Sequence, residues 1–525
     1  MKTLPAGITE GQTLTADLEV GCDVCIIGSG PGGAMAADVL SKAGLSVIVL
    51  EEGGWFTKER FRQREDEAYP LLYQEGGQRT TKDTAITVLQ GRAVGGGTVV
   101  NWTTCFRTPD EVVDHWRSKH GAASVTSKDL VPHWEWTEQR LNITEIPLAA
   151  TNRNNRLLYD GAKALGLVAL PVKRNVRGCA LTGSCGHGCP IDAKQSMAVT
   201  ILPDAIAAGA ALVSRCRVDK IVYQGARAVR VEGSFLDAFG REETGIKAIV
   251  KPRMVIASAG AINTPAVLLR SGTPDASGML GRRTFLHPVI ASVALFPDEV
   301  NGFFGAPQSI ASHAFAHRQQ ETAGEEVGYF LEAGPVHPML SSVAWGGFGR
   351  DHLAFMKQLP HAAAHLALTI DGFHDDVVGG QVSLTPSGRA VLDYPIVERQ
   401  WRALRHAQTT MAKIALATGA HTIGTGHDPT LVIKSEADIK KIDDMPWAPC
   451  KVAVFSAHQM GGCLMSDDAK RGVVRSVDLR HHDIENLYVV DGSVFPTSLG
   501  VNPQLSIYGL ARLAATRIAE QHKRA

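Results

Sequence analysis

The chain lacks an excess of either charge: its 525 residues carry 53 basic and 53 acidic side chains, with no long run of one sign. Without a basic face there is no electrostatic footprint for nucleic acid. Nothing approaches the roughly 20 uninterrupted apolar residues of a membrane helix, and residues 1–21 lack the basic-then-apolar pattern of a secretion leader. A cytoplasmic location is therefore the expectation. Cysteine is sparse and odd in number, nine in all, which argues against a disulfide scaffold and for reduced thiols or cofactor ligands. No internal repeat organises the chain. What it does have is length, too much for one ordinary hydrophobic core, so two domains built from discontinuous segments are expected. It also has 53 glycines, gathered into patches at 28–33, 91–97 and 183–188 that mark close backbone approaches.

Val24–Ile27 reads as a buried parallel strand running into Gly28-Ser29-Gly30-Pro31-Gly32-Gly33. A helical pattern follows from Ala34 to about Ala43, Gly44 stops it, and Leu45–Leu50 is a second buried strand ending at Glu51. Gly28, Gly30 and Gly33 supply a tight turn, a bare backbone for a pyrophosphate and close helix packing, while the helix N-terminus offers N–H groups to phosphate. Glu51 lies 23 residues after Gly28, near the spacing of a carboxylate that accepts from a ribose hydroxyl. Strand, turn, helix, strand and acid together predict a dinucleotide site, without distinguishing FAD from NAD.

Four further blocks bear on that choice: Gly91-Arg92-Ala93-Val94-Gly95-Gly96-Gly97-Thr98-Val99-Val100-Asn101; Val255–Pro265, continuing to Gly272; Leu487–Ser493, a strand that ends in Asp491; and the pair Ser456–Gly462 and Gly500–Ser506. With the nucleotide motif they resemble the glucose–methanol–choline (GMC) family of FAD-dependent oxidoreductases over residues 24–515. The resemblance implies an α/β fold with a Rossmann-type FAD-binding domain and a discontinuous α+β substrate domain whose antiparallel sheet covers the flavin. It places the first domain at about 18–110, 205–290 and 450–525, and the second at 111–204 and 291–449. It also implies that Gly95, Gly96, Gly97, Thr98 and Asn101 pass along the flavin, that Val218 holds adenine through its backbone, and that Asp491 lies near the ribityl chain or pyrophosphate. Some members tether FAD through a histidine just before the asparagine; here that position is Val100, so FAD is expected to be non-covalent.

By the same resemblance His458 and Asn502 face the flavin N5. Alcohol oxidation needs a proton taken from oxygen and a hydride delivered to flavin. His458 is expected to be the base and Asn502 to orient the alcohol oxygen, a pairing similar to the cholesterol-oxidase and long-chain-alcohol-oxidase branch. Asn502 is also read as an N-cap with Pro503 at the first helical position, opening a helix through Leu510 toward Ala519 whose positive end points at the flavin pyrimidine. His287, in Leu286-His287-Pro288, is read as structural.

Cys179, Cys185 and Cys189, followed by Pro190, resemble a loop of bacterial glucose dehydrogenase flavosubunits that holds a [3Fe-4S] cluster. The alternative is thiol packing, and zinc is disfavoured because only His187 offers a nearby fourth ligand. A cluster implies a cytochrome-type redox partner; its absence leaves oxygen or a quinone as the electron acceptor. Cys22 and Cys25 are read as core packing. Residues 379–389 read as a hairpin with its turn at Thr385–Gly388. Phe303, Phe304, Trp345, Phe348, Phe355 and Met356 suggest a lipophilic alcohol substrate. An NAD-dependent dehydrogenase, a flavin-containing lyase and a non-catalytic flavoprotein or scaffold are the rival readings.

Overall fold

The computed structural model describes residues 3–316 and 328–524. Its first sheet is built on the two strands expected from the apolar runs. Leu18–Ile27 lies parallel to Val47–Leu50, followed outward by Ala211–Ser214 and Gly7–Glu10. On its other side runs Glu243–Ala257, whose last residues pair in parallel with Leu487–Val489 while its first half turns into an antiparallel meander with Arg227–Leu236 and Cys216–Gln224. The register aligns Ile27 with Leu50 and with Ala257, and Ala257 with Val489. Four strands thus end side by side, where ligands of such sheets gather.

The first helix runs Pro31–Lys42 rather than from Ala34. Gly30 is extended and caps it, so Pro31 takes the first helical position, which suits a residue without an N–H. Gly44, at φ +91°, ends it as expected. The C-terminal helix begins at Gln504, one residue later than the expected Pro503, and packs on the first helix. The Ile507 N–H donates to the Pro503 carbonyl, so Pro503 is the cap and Asn502 stands outside the helix. That correction frees the Asn502 side chain for the site.

The second sheet centres on Val289–Leu295, Ala362–Thr369 and Tyr329–Gly334, all antiparallel. Alternation along these strands divides their residues between two faces. Ala363, Ala367, Tyr329, Leu331 and Ala333 pack in the core with the long helix Glu398–Ala417; Phe330, Leu366 and Leu368 belong to the other face. Ile86–Val88 and Val454–Ser456, which the sequence reading gave to the nucleotide domain, pair with each other and join this second sheet at Val289, stitching the two halves together. The hairpin forms as expected, with Gly380–Leu384 against Ala390–Asp393 and the Gly388 N–H closing on Thr385. Cys25 is fully buried and Cys22 packs beside it. None of the nine cysteines is paired in a disulfide. No helix among the described residues is long and apolar enough to cross a membrane.

Candidate active site

One cavity of about 1070 Å³ opens at the carboxyl ends of the parallel strands and runs to the apolar face of the second sheet. Gly28, Gly30, Glu51, Gly96, Gly97, Thr98, Asn101, Val218, Asp491, Pro503, His458 and Asn502 all line it. Gly33 and Gly95 stand behind the wall. A Cβ on Gly33 would meet the Gly28 carbonyl at 2.0 Å, so helix and turn close only on glycine. Gly28 itself sits at φ +100° with the Ser258 carbonyl 2.3 Å from where its Cβ would be. Gly96 crosses Gly30 so closely that a Cβ would lie 2.7 Å from the Gly30 Cα, whereas Gly97 faces open space.

Glu51 is buried, and burial raises its pKa. Oε2 accepts from the Ser29 N–H and hydroxyl at 2.9 and 2.7 Å, and Oε1 accepts from the Gly53 N–H at 2.7 Å. A carboxylate offers about four acceptor positions, so one on Oε1 is left for a ribose hydroxyl. Asp491 differs. Oδ1 accepts from the Ser493 N–H and hydroxyl, and Oδ2 from the Gly260 N–H and the Thr264 hydroxyl, all within 2.8 Å. Its acceptor positions are filled, so the carboxylate knits the Gly260 turn to the C-terminal turn and shapes the cavity. The Val218 carbonyl accepts from Arg270 at 3.2 Å. Thr98 ties the glycine segment to residue 197, accepting from the Met197 N–H at 3.0 Å and donating to the Gly95 carbonyl.

The walls fit a flavin dinucleotide. Asn101 donates to Gln504 at 2.7 Å, but its Oδ1, like that of Asn502, is buried without a partner, a cost of about 1–3 kcal/mol each unless a ligand donates. Pro503, Gln504 and Ile507 bring the positive end of the C-terminal helix to the cavity. Val100, lining the cavity at the tether position, carries no nucleophile.

At the reacting end a hydrogen-bond chain fixes proton positions. The Gly500 N–H donates to His287 Nε2 at 3.0 Å, so His287 carries its proton on Nδ1. That nitrogen lies 3.2 Å from His458 Nδ1. On the cavity side, His458 Nε2 lies 3.4 Å from Asn502 Nδ2, an amide nitrogen that can only donate. Desolvation lowers the His458 pKa to about 4, so the ring is neutral near pH 7. His287, read as structural, stands directly behind it. Its left-handed backbone, φ +46°, is held by Asp371, whose carboxylate accepts from the Leu286 and His287 N–H groups at 3.0 and 3.2 Å.

The sequence reading missed two groups. Glu332 is fully buried on the strand Tyr329–Gly334, on the Phe330 face. Its Oε2 accepts from Gln308 at 2.5 Å and Asn502 at 3.4 Å, Oε1 has no partner, and desolvation raises its pKa to about 8. A lone carboxylate inside an apolar strand was the available signal. Lys194 is buried, its pKa lowered to about 8 by desolvation, with Nζ donating to the carbonyls of Val99, Asn101 and Cys185 at 2.5, 3.0 and 2.6 Å. It bolts the cysteine loop to the glycine segment.

Cys179, Cys185 and Cys189 line a separate cavity of about 20 Å³ with Arg174 and Lys194. The Arg174 guanidinium donates to Cys185 at 3.6 Å and the Lys194 N–H to Cys189 at 3.4 Å. A space of that size holds about one water molecule. It does not fit a three-iron cluster. The six residues expected to line a lipophilic pocket do not line the large cavity. Trp345 stacks on buried Phe355 at 4.0 Å with Met356 beside them, and Phe348 is 92% exposed. The apolar lining comes instead from Trp102, Val289, Leu366, Leu368 and Phe455.

A Rossmann-type sheet, a dinucleotide-sized cavity and a His–Asn pair under a second antiparallel sheet define a two-domain flavin oxidoreductase. The family models for GMC oxidoreductases match residues 69–289 and 379–511, and the chain belongs to that family. A GMC-type oxidoreductase of Mycobacterium tuberculosis is 33% identical over 94% of this chain and 75% of its own length. The long-chain-alcohol oxidase FAO4B of Arabidopsis thaliana is 30% identical over 95% of this chain and 67% of its own. Among solved structures, pyridoxine 4-oxidase from Mesorbium loti superposes with a TM-score of 0.69 at 18% identity, covering 96% of this chain and 99% of that one. At that identity the likeness speaks for the fold.

Proposed function

We propose that the protein oxidises a lipophilic primary or secondary alcohol to the aldehyde or ketone, passing hydride to N5 of non-covalently held FAD. The observation that carries this reading is the pair His458 and Asn502, 3.4 Å apart on the wall of an apolar-ended cavity, with His287 behind His458. Neutral His458 takes the hydroxyl proton, and the Asn502 amide orients the alcohol oxygen and stabilises the charge that develops on it. Bound FAD supplies the hydride acceptor. Glu51 takes a ribose hydroxyl, the Val218 backbone the adenine, Gly28, Gly30 and the 95–98 segment the pyrophosphate side, and Asn101 and the Pro503 helix start the flavin end.

Trp102, Leu366 and Leu368 suit an aliphatic or cyclic chain better than a sugar, in keeping with the long-chain-alcohol oxidases among the relatives. Those names also favour oxygen as the electron acceptor over a quinone or cytochrome. The unpaired cysteines favour a reducing compartment such as the cytoplasm. The test is an anaerobic absorption spectrum before and after aliphatic, cyclic and aromatic alcohols. Flavin bands that bleach with a lipophilic alcohol support the reading. Flavin that stays oxidised with every alcohol points to a lyase, and a colourless protein removes FAD.

A further inference from the structure

Three side chains from separate parts of the chain converge beside the cavity without a role in the chemistry above. Glu65 opens the helix Glu65–Leu72, His187 ends the short turn Cys185–His187 within the cysteine loop, and His337 precedes the helix Pro338–Ala344. One ligand atom from each lies within 4.8 Å of the other two. The imidazole rings face each other with centroids 4.5 Å apart. Both histidines are buried yet line the large cavity, so an ion has an entry path.

We propose that Glu65, His187 and His337 form a binding site for a divalent cation of the zinc class, with a fourth coordination position open to the cavity. Two imidazoles and one carboxylate are a recognised donor set for zinc with an open position. Bonds of about 2.0–2.2 Å bring tetrahedral donor atoms to about 3.4 Å apart, a contraction that side-chain rotation supplies. The surroundings orient the ligands as such sites require. A ring N–H of His337 donates to the Gly183 carbonyl, leaving its other nitrogen for the ion. Both Glu65 oxygens accept backbone N–H groups, from Met339 at 2.6 Å and Leu340 at 2.9 Å, fixing the carboxylate while leaving it lone pairs. Tyr73 donates to the Gly186 carbonyl at 2.7 Å and holds the turn that carries His187. The ion would clamp three segments that wall the cavity. The cysteine loop thus contributes its histidine to a site that none of its thiols joins.

The test uses flavin-loaded enzyme stripped with a chelator, re-equilibrated with zinc sulfate and desalted, with zinc measured by atomic emission and flavin by absorbance. The expected result is one zinc per flavin in the wild type and in Cys185→Ser, and under a tenth of that in His337→Ala and Glu65→Gln at unchanged flavin content. Glu65→Gln, at a partly exposed position, keeps one of the two backbone contacts through its carbonyl oxygen and serves where the histidine variant misfolds. Zinc absent from the wild type overturns the proposal, as does zinc retained in Glu65→Gln. Zinc lost only on Cys185→Ser does so too, by assigning the metal to the thiols.

Discussion

Replacing Glu332 by Gln removes a titration that the fold has displaced. Burial moves this carboxyl from 4.5 to about 8. Between those values the native state keeps a proton that the unfolded chain has released, so Glu332 costs stability as pH rises through the window. That cost is absent below pH 4.5 and complete above about 8. At 1.36 kcal/mol per pH unit it amounts to about 5 kcal/mol when complete and about 3 kcal/mol at pH 7. Gln keeps the shape, donates or accepts toward Asn502 and never ionises. For a chain of 525 residues unfolding cooperatively, 1 kcal/mol corresponds to about 1 °C. Thermal unfolding followed at pH 5 and pH 9 should therefore show the variant gaining about 4 °C on the wild type between the two. Parallel curves would refute the displaced titration.

His458→Ala should lower the flavin reduction rate by about two to four orders of magnitude with FAD still bound; unchanged reduction in a stopped-flow assay under nitrogen would end its assigned role. His287→Phe should cost about 10- to 100-fold in kcat with little change in KM, because it removes the ring nitrogen 3.2 Å from His458 Nδ1 that positions the His458 ring; a change in KM alone would speak against that positioning. Lys194→Met leaves three buried carbonyls unpaired at about 1–3 kcal/mol each, and should lose flavin on dilution, read as free-flavin fluorescence. Leu368→Trp fills the apolar end of the cavity, so kcat/KM across a series of straight-chain alcohols should shift toward the shorter ones; an unmoved optimum would place the substrate chain elsewhere.

Residues that act through backbone shape were legible because their chemistry is local. Gly28, Gly30, Gly33 and Glu51 stand in one strand–turn–helix–strand unit, where a missing Cβ and a fixed spacing determine what each can do. The same locality made the Thr385–Gly388 turn readable. The six aromatic and sulfur-bearing residues of the middle segment failed because an apolar side chain says only that it prefers contact. Trp345 and Phe355 found each other at 4.0 Å rather than the cavity. Leu366 and Leu368 line it because they alternate with Ala363 and Ala367 on a strand whose other face is covered by a helix, and that choice of face is made by tertiary packing.

The roles of His458 and His287 illustrate a harder limit. A histidine in a motif names a nitrogen heterocycle, not which nitrogen carries the proton. Here the decision comes from one backbone N–H, that of Gly500, 213 residues along the chain from His287. It makes Nε2 of His287 an acceptor and leaves the proton of that neutral ring on Nδ1, 3.2 Å from His458 Nδ1. Asp371 makes this contact geometrically possible by holding His287 at a positive φ that its side chain disfavours. The carboxyl hydrogen-bonded to Asn502 is Glu332, whose raised pKa follows from the same dry surroundings that keep His458 neutral. A neutral imidazole beside a carboxyl that holds its proton is therefore one consequence of burial acting oppositely on a base and an acid.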